Sequence, residues 1–245
     1  MIPSYPIVVS AQIPEGASFW MPSKSEYDER AEGDGEGFGY FRDTWLLLEL
    51  TTEEAAGLVA EERELLPLVD RYSSTPEEFE ETVSSLEHPD LPEHQPDRLR
   101  DTPLWDHIVD PTGSSREHAF YSLEFGVAGL SYVLNSLGFL PVASCRVHYE
   151  RSWSTSPVVF VATTQAGAQW LQPLLERTGC GFSIDPDRPQ FLVIEAPSVT
   201  HSIALAEIIV EESPNAPQIH LAPDAETEGP EHEARREVPG QEQLW

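Results

Sequence analysis

The pattern that most constrains the fold is a helix–strand–strand order that occurs twice between Thr112 and Glu212. Helices are predicted where apolar side chains recur at three- and four-residue steps: 115–137, 165–178 and 200–211. Strands are predicted where short apolar runs lie between turn residues: 139–144, 158–163, 180–184 and 191–195. Gly138 and Gly179 follow the first two helices, and glycine commonly ends a helix. The chain therefore has one regular unit with two similar halves.

The two strands of each half are too close in the sequence for a parallel crossover, which would need a helix between them. Each pair is therefore expected to form an antiparallel hairpin. We predict an α+β fold in which two helix–strand–strand repeats form a four-stranded, mainly antiparallel sheet with helices on one face. A smaller acidic α/β segment precedes this unit.

The predicted domain organisation follows changes in composition along the chain. An acidic N-terminal α/β segment (1–86) is followed by a Pro- and acid-rich linker (87–111). The core α+β domain (112–212) and a disordered acidic tail (213–245) complete the prediction. The N-terminal segment contains two strand candidates, 5–12 and 41–50, with an acidic glycine-rich loop, 26–39, between them. Two helix candidates follow, 51–66 and 76–81. Pro67 is expected to stop the first of these helices.

The charge and cysteine content exclude several classes of protein. The net charge of the 245 residues is −29, and most of the excess acid lies outside residues 110–210. Nucleic-acid binding is not expected, because this field repels phosphates. The sequence lacks an apolar run of membrane-spanning length, so no membrane association is expected. Cys145 and Cys180 cannot form a disulfide scaffold, which favours a cytoplasmic protein.

The first hairpin has a long connection, residues 144–156, that concentrates reactive and cationic side chains. Arg146 and Arg151 carry guanidinium groups that match carboxylate or phosphate, and Trp153 provides a stacking surface. These three residues are predicted to bind a small anionic or nucleotide-like ligand. Cys145 and His148 of the same connection are candidate catalytic residues. The alternative is an ordinary polar hairpin in which both arginines pair with Glu150 or with nearby acids.

The helix expected over residues 115–137 has a second, more polar stripe beside its apolar one: His118, Tyr121, Glu124, Ala128, Ser131 and Asn135. Small and polar groups along one helical line can form the floor of a pocket. His118 and Glu124 are candidate acids or bases, and Tyr121 is a candidate ligand-binding residue. The alternative is the solvent-facing side of an amphipathic helix.

The sequence gives little support for a cysteine nucleophile, a metal site or a cofactor site. His148 follows Cys145 by three positions, which puts the two side chains on opposite faces of a strand unless the chain turns there. The histidines are scattered and neither cysteine belongs to a paired motif, so no metal site is predicted. Phosphate-binding glycine motifs are also absent from the sequence, and no cofactor is expected.

Two functional hypotheses follow. The first is a ligand-binding site, with catalytic capacity left open, for a small anionic or nucleotide-like molecule at the 144–156 connection. The second is a non-enzymatic acidic interaction protein, such as an inhibitor, an immunity factor or a nucleic-acid mimic, that binds a basic protein partner. The sequence assigns no reaction to the chain.

Overall fold

The computed structural model of the chain describes residues 1–7, 9–25, 50–87, 95–112, 123–149, 152 and 154–223. These residues form six α-helices: α1 (Thr52–Arg71), α2 (Pro76–Glu87), α3 (Trp105–Ile108), α4 (Ala128–Ser136), α5 (Gln165–Thr178) and α6 (Val199–Glu212). They also form four strands: β1 (Leu140–Cys145), β2 (Val158–Ala162), β3 (Gly181–Asp185) and β4 (Arg188–Glu195).

The four strands form one sheet in the order β1–β2–β4–β3, and every neighbouring pair is antiparallel. Each predicted hairpin is present, and β2 and β4 join the two hairpins at the centre of the sheet. Every residue of β2 is buried, as expected for a central strand that is covered on both faces. The prediction of an α+β fold with a four-stranded antiparallel sheet is confirmed.

The predicted doubling of the helix–strand–strand unit is not confirmed. The helix of the first half, α4, has 9 residues, whereas α5 in the second half has 14. The β3–β4 connection is also shorter than expected, because β4 begins at Arg188. The glycine helix ends are present in both halves: Gly138 and Gly179 have positive φ angles of 86° and 71°. This conformation is one that glycine adopts readily.

The helices form a layer that joins the N-terminal part of the chain to the sheet. Helix α6 packs against α4 and α5, while α4 contacts β1 and α5 contacts β3. Helix α1 packs on α4 and α6, and its buried side chains belong to the same apolar core as the strands. The acidic N-terminal segment therefore contributes to the core. None of the helices in the described ranges is both long and apolar enough to cross a membrane.

The helix expected over 115–137 is present as α4 from Ala128 to Ser136, but the prediction is wrong over residues 123–127, which are not helical. Gly126 has a φ angle of 90°, which is incompatible with a right-handed helix. A Cβ at this position would also collide with Val199 of α6. Glu124 therefore lies on a turn and does not share a helical stripe with Ser131 and Asn135, which are buried.

The two N-terminal helices are longer than expected. Helix α1 continues through Pro67 to Arg71, because Leu65 and Val69 on either side of the proline are buried in the core. Helix α2 continues to Glu87, because Val83 and Leu86 extend its buried stripe. In α1, tertiary packing outweighs the local stop signal of Pro67.

The structure describes only part of the remaining predicted strands, loop, linker and tail. The strand expected over 5–12 is reduced to an isolated bridge between Ser10 and Phe182 in the described residues. The strand expected over 41–50 and the loop over 26–39 lie outside the described residues, apart from Leu50. Residues 95–112 of the predicted linker contain four buried apolar side chains: Leu99, Leu104, Ile108 and Val109. Ile219 of the predicted tail is also buried. The domain boundaries themselves stay a prediction.

Candidate functional site

Five charged side chains from three separate parts of the chain meet at the end of β1. Helix α2 provides Glu80 and Glu87, the turn before α4 provides Glu124, and the segment after β1 provides Arg146 and His148. We call these five side chains the charge cluster. It contains three acidic and two basic groups.

Arg146 lies at the centre of the charge cluster, and its side chain is 0% exposed. Its Nη2 atom lies 2.9 Å from Glu80 Oε1 and 3.3 Å from Glu87 Oε2, and its Nη1 atom lies 3.7 Å from Glu124 Oε2. The backbone N–H of Arg146 donates to Glu124 Oε2 over 2.7 Å. Arg146 Nε is buried and has no hydrogen-bond partner among the described residues. The guanidinium is therefore held mainly by paired charges.

His148 bridges two of the acids with its imidazole ring. Its Nδ1 atom lies 2.8 Å from Glu80 Oε1, and its Nε2 atom lies 2.8 Å from Glu124 Oε1. Hydrogen bonds to Glu124 and then to Glu80 are the main causes that raise the pKa of His148 to about 9. The ring is therefore an imidazolium at neutral pH, and each of its N–H groups donates to a carboxylate.

A turn in the backbone explains why Arg146 and His148 reach the same acids. Val147 has a φ angle of 76°, which is the left-handed region that β-branched residues rarely adopt. The same turn lets the Val147 N–H donate to Cys145 Sγ over 3.3 Å. Regular strand geometry would have put Cys145 and His148 on opposite faces, but the chain turns between them. Strained backbone of this kind is concentrated at functional sites.

The turn that carries Glu124 is held by two buried carboxylates. Glu87 Oε1 accepts from the N–H of Phe125 over 2.7 Å. Glu62 of α1 accepts from the N–H of Gly126 over 2.6 Å and from the N–H of Gly129 over 3.0 Å. Successive backbone amides therefore bind carboxylates from two different helices, and this arrangement fixes the position of Glu124.

Burial and charge divide the acids into two groups. Burial raises the pKa of Glu62 and of Glu87 to about 7, because the hydrogen bonds that each accepts offset only part of the desolvation. Burial also acts to raise the pKa of Glu80 and of Glu124. For these two acids, the hydrogen bonds from His148 and the charge of Arg146 outweigh burial, so the pKa is lowered.

Cys145 lies next to the charge cluster, but it is not arranged as a nucleophile. The thiol is buried, and desolvation followed by the charge of Glu124 raises its pKa. Both ring nitrogens of His148 already contact carboxylates, so neither accepts a proton from the thiol. Ligand atoms of Glu124, Cys145 and His148 nevertheless all lie within 4.8 Å of one another, a separation compatible with a shared metal ion.

Four of the eight predicted site residues meet at this place: Glu124, Cys145, Arg146 and His148. The other four lie outside the described residues: His118, Tyr121, Arg151 and Trp153. The alternative pairing of Arg146 with Glu150 also involves a residue outside the described part. The acids that Arg146 does contact come from α2 and from the turn before α4.

Sequence reasoning missed Glu80, Glu87 and Tyr5. The pKa of Tyr5 is raised by burial and then by the charge of Glu80, so its hydroxyl also lies near the charge cluster. The signal for the two acids was their spacing of seven residues, which is two turns on one face of a helix. The predicted helix ended at residue 81, so Glu87 fell into the expected linker.

A concave region away from the charge cluster lies at the C-terminal end of α4 and has a volume of about 520 Å³. Its lining includes Asn135, Ser136, Gln218 and His220. Among the described residues, no acidic or arginine side chain and none of the eight predicted site residues lines it. The charge cluster is therefore the stronger candidate site.

Comparison with known proteins found no matching family model, no matching curated protein and no matching solved structure. Functional inference therefore rests on the geometry of the charge cluster.

Proposed function

We propose that this protein binds a small cationic ligand at the charge cluster, in the first part of the 144–156 connection. The observation that carries the proposal is the balance of charge at this point. The carboxylates of Glu80 and Glu124, together with Glu87, whose pKa of about 7 leaves it partly ionised at neutral pH, surround two cationic side chains. A cation would compensate the excess negative charge, and the net charge of −29 over the whole chain would attract it.

The ligand expected from the sequence was an anion, and the contacts of Arg146 favour the opposite charge. The guanidinium is fully buried and each of its terminal nitrogens already lies near a carboxylate. An anion could reach it only by displacing an acid from a desolvated pair, which is costly. A cation can instead approach the acids and leave Arg146 in its position.

The outer members of the charge cluster are accessible to a ligand. The side chains of Glu80, Glu124 and His148 are 25%, 26% and 33% exposed, whereas those of Arg146 and Glu87 are 0% and 5% exposed. Arg146 and Glu87 thus form a buried base, and the three other groups form a partly exposed rim. Binding sites in proteins are commonly built from rigid, partly desolvated groups of this kind.

The same geometry supports binding over catalysis. A general base needs a free lone pair, and both nitrogens of His148 donate to carboxylates. A cysteine nucleophile needs a lowered pKa, whereas the pKa of Cys145 is raised.

The proposal can be tested by measuring the melting temperature of the whole chain with small cations and with small anions. The cations are spermidine, Mg²⁺, Ca²⁺, Zn²⁺ and Co²⁺, and the anions are phosphate and a nucleotide. A ligand at one hundred times its Kd stabilises the native state by about 2.7 kcal/mol, which corresponds to roughly 5–10 °C in a chain of this size. We expect a rise of this order with at least one cation.

The matched control for this test is a pair of neighbouring glutamates on α2. Glu80→Gln should reduce the cation effect, while Glu81→Gln should not, because Glu81 contacts Arg98 outside the charge cluster. Stabilisation by phosphate or by the nucleotide alone would support the anionic ligand and overturn the proposal. An equal response of the two variants would move the cation to another part of the surface.

The net charge of −29 favours a second candidate function, which is binding of a basic protein partner by an acidic surface. Interactions between exposed charges are screened by salt, with a Debye length of about 10 Å at 0.1 M. Capture of a basic partner should therefore fall steeply between low and moderate salt. Recovery that does not change with salt would count against this candidate.

A further inference from the structure

We propose that the cation is a zinc-type transition-metal ion, held by Cys145, His148 and Glu124. The inference rests on the proposed cation site and specifies which class of cation it binds. Ligand atoms of these three residues lie within 4.8 Å of one another. Thiolate, imidazole and carboxylate are the three protein groups that bind Zn²⁺, and three protein ligands leave a fourth position for water. Hard ions such as Mg²⁺ and Ca²⁺ prefer oxygen ligands alone.

Each proposed ligand already has a second partner that suits the metal-bound form. The Val147 N–H donates to Cys145 Sγ over 3.3 Å, which stabilises a thiolate. The Arg146 N–H donates to Glu124 Oε2 over 2.7 Å and leaves Oε1 for the ion. Hydrogen-bonded partners of this kind orient metal ligands and are a regular part of metal sites.

His148 also has a second partner that suits a metal-bound ring. Its Nδ1 atom lies 2.8 Å from Glu80 Oε1, while Nε2 faces Glu124. A ligating histidine usually donates its other N–H to a carboxylate, which fixes the orientation of the ring. Glu80 is the carboxylate that accepts the Nδ1–H of His148, so Nε2 is the nitrogen that would bind the ion. Glu80 is then a positioning residue and not a ligand.

The distances between the ligand atoms require only a small adjustment. Zinc bonds of about 2.0–2.1 Å to nitrogen or oxygen and about 2.3 Å to sulfur put tetrahedral ligand atoms roughly 3.3–3.6 Å apart. His148 Nε2 and Glu124 Oε1 are 2.8 Å apart, so an ion between them would separate them by about 0.5 Å. The sulfur would move inward by at most about 1 Å.

A metal ion would replace protons at this position. Binding converts the thiol of Cys145 to a thiolate and removes the Nε2 proton of His148, and both protons pass to solvent. The ion then occupies the space between Nε2 and Glu124 that a hydrogen bond spans in its absence. The buried pair of Arg146 and Glu87 stays beneath the ion as a fixed support.

The decisive experiment uses Co²⁺ as the probe, added to the whole reduced protein. A cobalt ion bound by a thiolate has an intense near-ultraviolet charge-transfer absorption, and tetrahedral coordination gives strong visible bands. We expect both in the wild-type protein and in Cys180→Ser, whose sulfur is buried elsewhere. Cys145→Ser should lose the charge-transfer absorption. Absence of this absorption from the wild-type protein at saturating Co²⁺ would overturn the proposal without any need for a variant.

Zn²⁺ affinity, measured by competition with a chromogenic chelator, tests the remaining residues. His148→Asn should weaken binding by at least a hundredfold, and the exposed His220→Asn should not change it. Glu80→Gln should weaken binding by 10- to 100-fold while the cobalt absorption keeps its position, because Glu80 orients the ring without touching the ion. Glu81→Gln should be unchanged. Retention of wild-type affinity by His148→Asn would also overturn the proposal.

The two proposals fail in different ways. If spermidine, Mg²⁺ or Ca²⁺ stabilises the protein through Glu80 and neither Zn²⁺ nor Co²⁺ does, the cation site stands and the metal assignment is overturned. If no cation stabilises the protein, both proposals are overturned.

Discussion

The two cysteines of the chain lie in opposite kinds of environment. Cys180 follows the glycine that ends α5 and is surrounded by the apolar core, and burial raises the pKa of its thiol to about 11. Its sulfur lies 3.5 Å from the carbonyl oxygen of His201, which is a weak polar contact. Cys145 is equally buried, but it lies beside Glu124 and His148 and accepts the N–H of Val147.

The surroundings of the two cysteines distinguish a residue that only fills the core from one in a candidate functional site. Ordinary burial of a small side chain explains Cys180 completely. The surroundings of Cys145 are costly to build, because they contain a fully buried guanidinium and a valine in a left-handed conformation. An apolar core would have stabilised the fold more simply. A local structure that costs stability and concentrates reactive groups is therefore the place to expect a functional site.

The largest expected effect breaks the charge cluster at its centre. Arg146→Met removes the cation from three carboxylates in a desolvated place, and we expect a loss of about 3–5 kcal/mol in the free energy of unfolding. Urea denaturation at pH 7 measures it. Arg177→Met is the control, because that arginine forms an exposed pair with Glu212 and should cost less than about 1 kcal/mol. Equal costs for the two variants would contradict the central position of Arg146.

The next effect concerns pH. Glu62 and Glu87 have a folded-state pKa of about 7 against an ordinary value of 4.5, so the folded protein holds protons that the unfolded chain has already released. Their stabilising contribution is full below pH 4.5 and is lost as the pH rises through 7. We expect a loss on the order of 1–3 kcal/mol for each group between pH 5 and pH 8. Urea denaturation at several pH values measures it.

The control for the pH effect uses two glutamates of α1. Glu62→Gln cannot titrate and should flatten the dependence of stability on pH, whereas the exposed Glu64→Gln should leave it unchanged. The raised pKa of His148 acts in the same direction, but its contribution is lost only between pH 6.5 and about 9. A protein that becomes more stable between pH 5 and 7 would contradict the assignment of the two carboxyls.

A smaller effect is expected within the rim of the charge cluster. Glu80→Gln removes one of the two carboxylates that hold the imidazolium, so the pKa of His148 should fall from about 9 by about 1. Titration of the histidine ring signals by NMR measures this change. The ring signals of His201, which contacts Ser198 instead of an acid, should be the same in both proteins and serve as an internal reference. A shift of both rings would indicate a general disturbance of the fold.

The smallest effect concerns Gly179, the left-handed residue next to Cys180, and is compared with the helical Gly57. Gly179 has a φ angle of 71°, and a Cβ there would meet only His201 at an ordinary contact distance of 3.6 Å. Gly179→Ala should therefore cost about 1 kcal/mol, from backbone strain alone. Gly57→Ala, at an open helical position, should stabilise the protein by a similar amount. If Gly179→Ala stabilises the protein as Gly57→Ala does, the strain attributed to Gly179 is not present.

Most of the fold followed from short-range information. The apolar runs, the glycine at the end of each helix and the short separation of the strands predicted both hairpins and the antiparallel sheet. The boundaries of β1, β2 and α5 were predicted to within one residue. The helix that was expected to reach back to residue 115 was wrong over residues 123–127, because Gly126 interrupts it. Close packing of that glycine against Val199 is a long-range contact that the local pattern does not contain.

The candidate site was predictable only where its residues are neighbours in the sequence. Cys145, Arg146 and His148 were recognised because one long connection contains all three. Glu124 was selected for the wrong reason, as part of a helical stripe, and reaches the same place from a turn. Glu80 and Glu87 looked like part of an acidic helix and an acidic linker. Their selection from among many acids depends on how α2 packs.

The sequence by itself determined the α+β class, the hairpins and the acidity of the chain, because periodicity, turn residues and charge act over short distances or over the whole molecule. Only the tertiary structure decided which acids surround Arg146, and the cationic ligand that we propose is inferred from those contacts. A guanidinium fits a phosphate or a carboxylate equally well. Its partner depends on which group the fold buries beside it, and here that group is a carboxylate from α2, 66 residues away in the chain.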